Sequence, residues 1–99
     1  MYLDSYKNQI IQLCEKHKVK HLFAFGSVLT NKFSEKSDVD LVVDIKSKDP
    51  IKYAENYFDL KFQLEDLLKR KIDLLEDRGI TNSYLRENID NSKLLIYGS

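Results

Sequence analysis

Gly26-Ser27-Val28-Leu29-Thr30-Asn31-Lys32-Phe33-Ser34-Glu35-Lys36-Ser37-Asp38-Val39-Asp40 is the stretch that decides the fold. It holds a Gly-Ser pair closing one apolar run and an Asp-x-Asp pair opening the next. Upstream, Val19–Phe25 mixes β-branched and aromatic residues and reads as a buried strand. Downstream, Val39–Ile45 is the strongest strand signal in the chain. Strand side chains alternate, so Val39, Leu41, Val43 and Ile45 share one face, and Asp38 and Asp40 share the other. Two strands thus deliver a small-residue turn and two carboxylates to one edge.

A third carboxylate lies further on. Residues 71–76, Lys-Ile-Asp-Leu-Leu-Glu, read as another strand, with Asp73 set between Ile72 and Leu74. If this strand neighbours the Asp38/Asp40 strand, all three carboxylates face one another. They repel unless something compensates. Mg²⁺ is the usual answer: a hard ion that takes oxygen ligands and is held by a few carboxylates plus substrate phosphates. Two such ions can activate an attacking oxygen and stabilise a leaving one. The plain alternative makes Asp38 a turn residue, with Asp40 and Asp73 as surface solubilisers. Gly26 permits a close ligand approach. Ser27, opening one or two helical turns over residues 27–31, offers amide and hydroxyl donors to a phosphate. Alone, a Gly-Ser pair is more often a turn and a cap.

The rest of the chain frames this edge. Leu3, Tyr6, Ile10, Leu13, Cys14 and His17 recur at steps of three and four, predicting a helix over residues 4–17 with Asp4 or Ser5 as N-cap. Residues 31–37 form a polar loop over the site. Pro50 suits the start of a long helix over 51–69, on which Tyr53, Tyr57, Leu60, Leu64, Leu67 and Leu68 mark the apolar face, widened by Phe58 and Phe62. The aromatics are expected to pack in the core. Gly79 breaks the chain, Thr81, Asn82 or Ser83 caps a short helix to about residue 90, and residues 93–97 end as a strand or a packed tail. The expected class is α/β, a small mixed sheet with packed helices, in a single domain over residues 1–99.

Composition narrows the function. Hydrophobic residues make up 42% and charged residues 32%, which is globular. A formal net charge of zero removes the positive field of a dedicated nucleic-acid binder. A single Cys14, no membrane-length apolar run and no signal-peptide pattern suggest a soluble, cytoplasmic protein. His17 and His21 straddle a helix end without a third ligand at suitable spacing, so structural or surface roles are expected for both. Lys69-Arg70-Lys71 reads as a solvated helix end.

Gly26-Ser27, ten intervening residues and Asp38-Val39-Asp40-Leu41 together resemble the signature of the DNA polymerase β-like nucleotidyltransferase superfamily. The chain length resembles the minimal nucleotidyltransferases, the MNT family. The 71–74 segment and the Leu94-Leu-Ile-Tyr97-Gly98 ending also resemble that family's. The resemblance implies a polymerase β-like fold and a Mg²⁺-dependent nucleotidyltransferase using ATP, with two ions. Asp38, Asp40 and Asp73 would be the catalytic and metal-binding residues. Gly26 and Ser27 would contact the nucleotide phosphates. It further implies an antitoxin that transfers AMP to a tyrosine of a cognate HEPN ribonuclease toxin and forms a hetero-oligomer with it. The alternatives are neutralisation of the toxin by binding alone, or transfer to a small molecule. Many relatives carry Arg soon after the Gly-Ser pair, where Val28-Leu29-Thr30-Asn31 stands here; Lys32 or Lys36 would then supply the charge.

Overall fold

The computed structural model describes residues 1–98. Strand β1 (Val19–Phe25) and strand β2 (Val39–Ile45) occupy their expected positions and pair antiparallel. Strand β3 (Ile72–Glu76) lies parallel to β2 on its other side, and β4 (Leu94–Gly98) pairs antiparallel with β1. The order β3-β2-β1-β4 is the small mixed sheet the sequence implies. A parallel neighbour requires a crossover. That crossover is helix α2 (Pro50–Leu68).

One sheet face builds the core. Val39, Leu41, Val43 and Ile45 of β2 are buried together with Leu22 and Ala24 of β1 and Ile72 and Leu74 of β3. Helix α1 (Lys7–Lys16) adds Ile10 and Cys14, and α2 adds Tyr53, Leu60, Leu64 and Leu68. Burial pushes the Cys14 thiol up to about 12, so it serves as a small core hydrophobe rather than a nucleophile. The Tyr57 hydroxyl donates to the Leu74 carbonyl and fastens α2 to β3.

Three local expectations are corrected. The first turn of the predicted N-terminal helix is a 3₁₀ turn, Tyr2–Tyr6, and neither Asp4 nor Ser5 caps α1. The terminal ammonium donates to the Asp4 carboxylate at 2.8 Å and takes that side chain for itself. Phe58 and Phe62 do not widen the core face: they are 52% and 60% exposed, their rings stacked with centroids 6.4 Å apart. At about 100° per residue, Phe58 and Phe62 each lie two positions from Leu60 and so point away from it. The helical turn expected over 27–31 is a 3₁₀ turn, Gly26–Leu29, closed when the Thr30 hydroxyl donates back to the Ser27 carbonyl.

The caps of α2 follow its sequence. Asp49 accepts from the Ile51 and Lys52 amides, Pro50 opens the helix, and Lys69 ends it in the left-handed region at φ 54°. Helix α3 (Ser83–Ser92) is capped by Asn82, whose side chain accepts from the Leu85 amide. The two histidines hold elements together, as expected. His17 is buried and bridges the Leu13 carbonyl and the Asp59 carboxylate, tying α1 to α2. His21 meets Asp77 at 3.0 Å.

Candidate functional site

The second sheet face carries the candidate site. Pairing aligns its side chains in rungs. The first rung runs Phe25–Asp40–Asp73 across β1, β2 and β3; the second runs Phe23–Val42–Leu75. Further along β2, Asp44 pairs with His21. Helix α3 lies over the later rungs. Arg86 binds Asp77, which also takes His21. Lys93, at the end of α3, sits 4.3 Å from the centre of the Phe23 ring. Val42 and Ile89 are buried outside the main core, as this second layer requires. The first rung remains open: Asp73 is exposed and Asp40 half-buried.

The three predicted carboxylates therefore meet at one end of the sheet. Asp40 and Asp73 are direct register partners on parallel strands. Asp38 stands one residue before β2 on the Asp40 face, and its carboxylate lies 4.0 Å from the Lys71 ammonium. Asp40 is held above the usual carboxylate range, chiefly by burial, then by the charges of Asp73 and Asp38. Asp44, on the same face, is removed from the cluster. Arg78 grips it through Nε at 3.0 Å and Nη2 at 2.7 Å.

Gly26 completes the arrangement. It ends β1 with φ +75°, and a Cβ there would fall 2.4 Å from Asp40 Oδ2. Any other residue would displace this carboxylate from its present place. Ser27 follows at once, on the same edge. The turn itself carries no cation, and Val28 is buried. Lys32 and Lys36 are exposed on the loop that follows.

Asp38, Asp40 and Asp73 are the side chains that could hold a hard divalent ion. Among the described residues no three His, Cys, Asp or Glu side chains converge into a ready-made metal cage. Carboxylate oxygens on an open rung are ligands Mg²⁺ can take, with water and substrate phosphates filling its remaining positions. Three surface hollows, of about 350, 510 and 270 Å³, lie away from the carboxylates, between α1 and α2, beside Lys46 and Arg78, and beside Gly79.

One residue at this end escaped sequence reasoning. Arg70 is not a solvated helix end. Its Nη1 donates to the carbonyls of Ser34 at 3.0 Å and Ser37 at 2.8 Å, and its guanidinium lies over the rings of Tyr2 and Phe33. The partners lie 33 to 68 positions away in the chain, so local spacing gave no sign of them. Arg86 is committed to Asp77.

A mixed sheet that brings a Gly-Ser turn against two strand-borne carboxylates, with a third on the neighbouring parallel strand, defines a nucleotidyltransferase of the polymerase β class. The chain belongs to the Polymerase beta nucleotidyltransferase family, whose profile matches residues 8–99. A candidate protein adenylyltransferase of Methanocaldococcus jannaschii is 40% identical over 86 residues, covering 86% of this chain and 82% of the relative. A solved structure of a candidate minimal nucleotidyltransferase superposes with a TM-score of 0.77 at 28% identity, covering 94% of this chain and 91% of that one. Two toxin–antitoxin structures share the fold at 23% identity, each covering 94% of this chain. One, with AMP-PNP, has a TM-score of 0.73 and is covered over 73% of the matched chain. The other holds a tri-AMPylated Shewanella oneidensis HEPN toxin with its MNT antitoxin, at 0.64 and 70%. Among the described residues no helix is long and apolar enough to cross a membrane.

Proposed function

We propose that this chain is a Mg²⁺-dependent protein adenylyltransferase that moves AMP from ATP to a tyrosine hydroxyl of a HEPN ribonuclease toxin, acting in the cytoplasm as its antitoxin and partner. The observation that carries the reading is the Asp40–Asp73 rung with Gly26 set against Asp40. The names of the relatives support the chemistry, and the toxin–antitoxin neighbours support the partner by analogy of fold.

In this reading the tyrosine oxygen attacks the α-phosphorus in line. A new P–O bond forms, the bond to the β-phosphate oxygen breaks, and pyrophosphate leaves with the electron pair. Asp73, exposed beside Asp40, accepts the hydroxyl proton. Asp38 and Asp40 would hold the metal, whose bound charge offsets the charge that builds on the phosphate oxygens. Gly26 leaves space for the triphosphate next to Asp40, and Ser27 offers it donors. Lys32 or Lys36 would supply the positive charge that Val28 to Asn31 lacks. Much of the acceleration then comes from holding hydroxyl and phosphate in line. Incubation with Mg-ATP and the cognate toxin should add the mass of AMP to a toxin tyrosine. No added mass from a folded, wild-type chain sinks the enzymatic reading.

The absence of a cation from the Gly26–Leu29 turn favours one competitor: neutralisation by contact alone. Its signature is full neutralisation by the Asp38→Asn/Asp40→Asn variant.

A further inference from the structure

We propose that Arg70 is a positioning residue for the metal-binding carboxylates, holding the 31–37 loop so that Asp38 enters β2 two residues before Asp40, the register partner of Asp73. The inference rests on the nucleotidyltransferase reading of the carboxylate rung.

The geometry is specific. Ser34 to Ser37 is a tight turn, with the Ser37 amide donating to the Ser34 carbonyl at 3.0 Å and the Ser34 amide donating to Ser37 Oγ at 3.1 Å. Arg70 Nη1 donates to the carbonyls at both ends of that turn. The second carbonyl belongs to the residue immediately before Asp38. Fixing it fixes the peptide plane from which the Asp38 Cα departs.

Arg70 is itself tied down. Its guanidinium carbon lies 4.6 Å from the Tyr2 ring centre and 4.4 Å from that of Phe33, and those rings are 5.0 Å apart. Tyr2 in turn donates its hydroxyl to the Leu68 carbonyl at the end of α2. Phe33 belongs to the loop, so the cation binds the loop through a ring as well as through two carbonyls.

The other side of Arg70 leads to the third carboxylate. Lys71 follows, and its carbonyl accepts from the Val39 amide at 3.2 Å, the first link between the β2 and β3 segments. Asp73 comes two residues later. Arg70 therefore stands where the segment bearing Asp73 and the loop delivering Asp38 are joined. Without it, the polar loop loses two carbonyl bonds and a ring contact, and loop residues held by few contacts open readily.

The test compares the wild-type chain with Arg70→Met, Arg70→Lys and Phe33→Leu. Two readouts are taken: amide hydrogen exchange, and binding of Mn²⁺ with a non-hydrolysable ATP analogue, followed by electron paramagnetic resonance. Arg70→Met should raise exchange at residues 34–38 by about 10-fold or more, leave the β1 and β2 amides protected, and weaken Mn²⁺ binding by about 10-fold. Arg70→Lys, which keeps charge and donors but loses the planar group, should recover part of both effects. Phe33→Leu keeps the carbonyl bonds and carries the test if Arg70→Met does not fold; it should shift both readouts in the same direction. Wild-type exchange and Mn²⁺ affinity in these variants, or exchange raised equally across the sheet, overturns the proposal. A wild-type chain that binds no Mn²⁺ with the analogue overturns the nucleotidyltransferase reading, and this inference with it.

Discussion

Gly26→Ala separates the stability of this fold from the geometry of its site. The new Cβ would stand 2.4 Å from Asp40 Oδ2, where a real Cβ contact is almost never under 3.0 Å. The carboxylate must retreat by about 0.6 Å, the difference between those distances. It is the free end of a side chain, so the retreat is easy for the fold. The backbone cost is that of holding Ala at φ +75°, about 1–2 kcal/mol, part of which is offset by the stiffer unfolded chain. A net loss of about 1 kcal/mol lowers Tm by about 4–8 °C in a domain of this size. The site suffers more, because a carboxylate misplaced by a fraction of an ångström lies away from the position its metal and phosphates need. Transfer should fall by about 10- to 100-fold. Gly98→Ala is the control. Its Cβ would meet the Lys20 backbone carbonyl oxygen, which cannot swing aside, at φ +91° and on the edge strand β4. It should destabilise more than Gly26→Ala and leave transfer by the folded fraction unchanged. The assay is AMP addition to the cognate toxin by intact mass, below both melting points, with urea unfolding run in parallel. Gly26→Ala transferring at the wild-type rate while fully folded would refute the claim that Gly26 is kept for Asp40.

The other predictions probe the same frame. Asp38→Asn/Asp40→Asn should reduce transfer by about 100-fold or more without lowering Tm, since the substitutions relieve the burial penalty and then the repulsion that together raise Asp40. Both changes are read by mass spectrometry and thermal unfolding. Asp77 is subject to a burial penalty, yet hydrogen bonds and charge from Arg86 and His21 hold its carboxyl below the usual 3.8. Its stabilisation is thus complete above that value and is lost as pH falls through the lowered one. Asp77→Ala should be less stable than wild type by about 1 kcal/mol at neutral pH, with the gap closing under acid in urea titrations. Leu60→Ala should cost about 2–5 kcal/mol, whereas Phe62→Ser, on the exposed side of the same helix, should stay within about 0.5 kcal/mol.

The strands were legible because their information is local. Val39–Ile45 alternates in a chain where few other segments do, and its observed bounds match the expected ones. The Asp38/Asp40 pair followed from parity, and Asp73 from an acid placed between two apolar neighbours. Their meeting depended on one pairing, β2 with β3, which the sequence leaves open and the fold supplies. The exposed ring pair on α2 was not legible in the same way. Phe58 and Phe62 are spaced like core residues, and only their angle to the Leu60 and Leu64 line reveals the outward face.

Arg70 was illegible for a different reason, and it marks where sequence reasoning stops. A cation in Lys69-Arg70-Lys71 is worth little as a charge in water. Its value comes from two carbonyls and two rings contributed by residues 2, 33, 34 and 37, none of which carries a charge to attract it. Carbonyl oxygens have no side-chain signature, so no pattern of residue types announces them as partners. The choice of Arg over Lys is the only local trace, because a planar guanidinium lies flat on a ring with its N–H fork fixed towards the carbonyls, whereas an ammonium is a point charge on a flexible stem. Motif residues can therefore be found by spacing, because their chemistry is written in their side chains. The residues that aim them act through the backbone, and they appear only once the chain is folded.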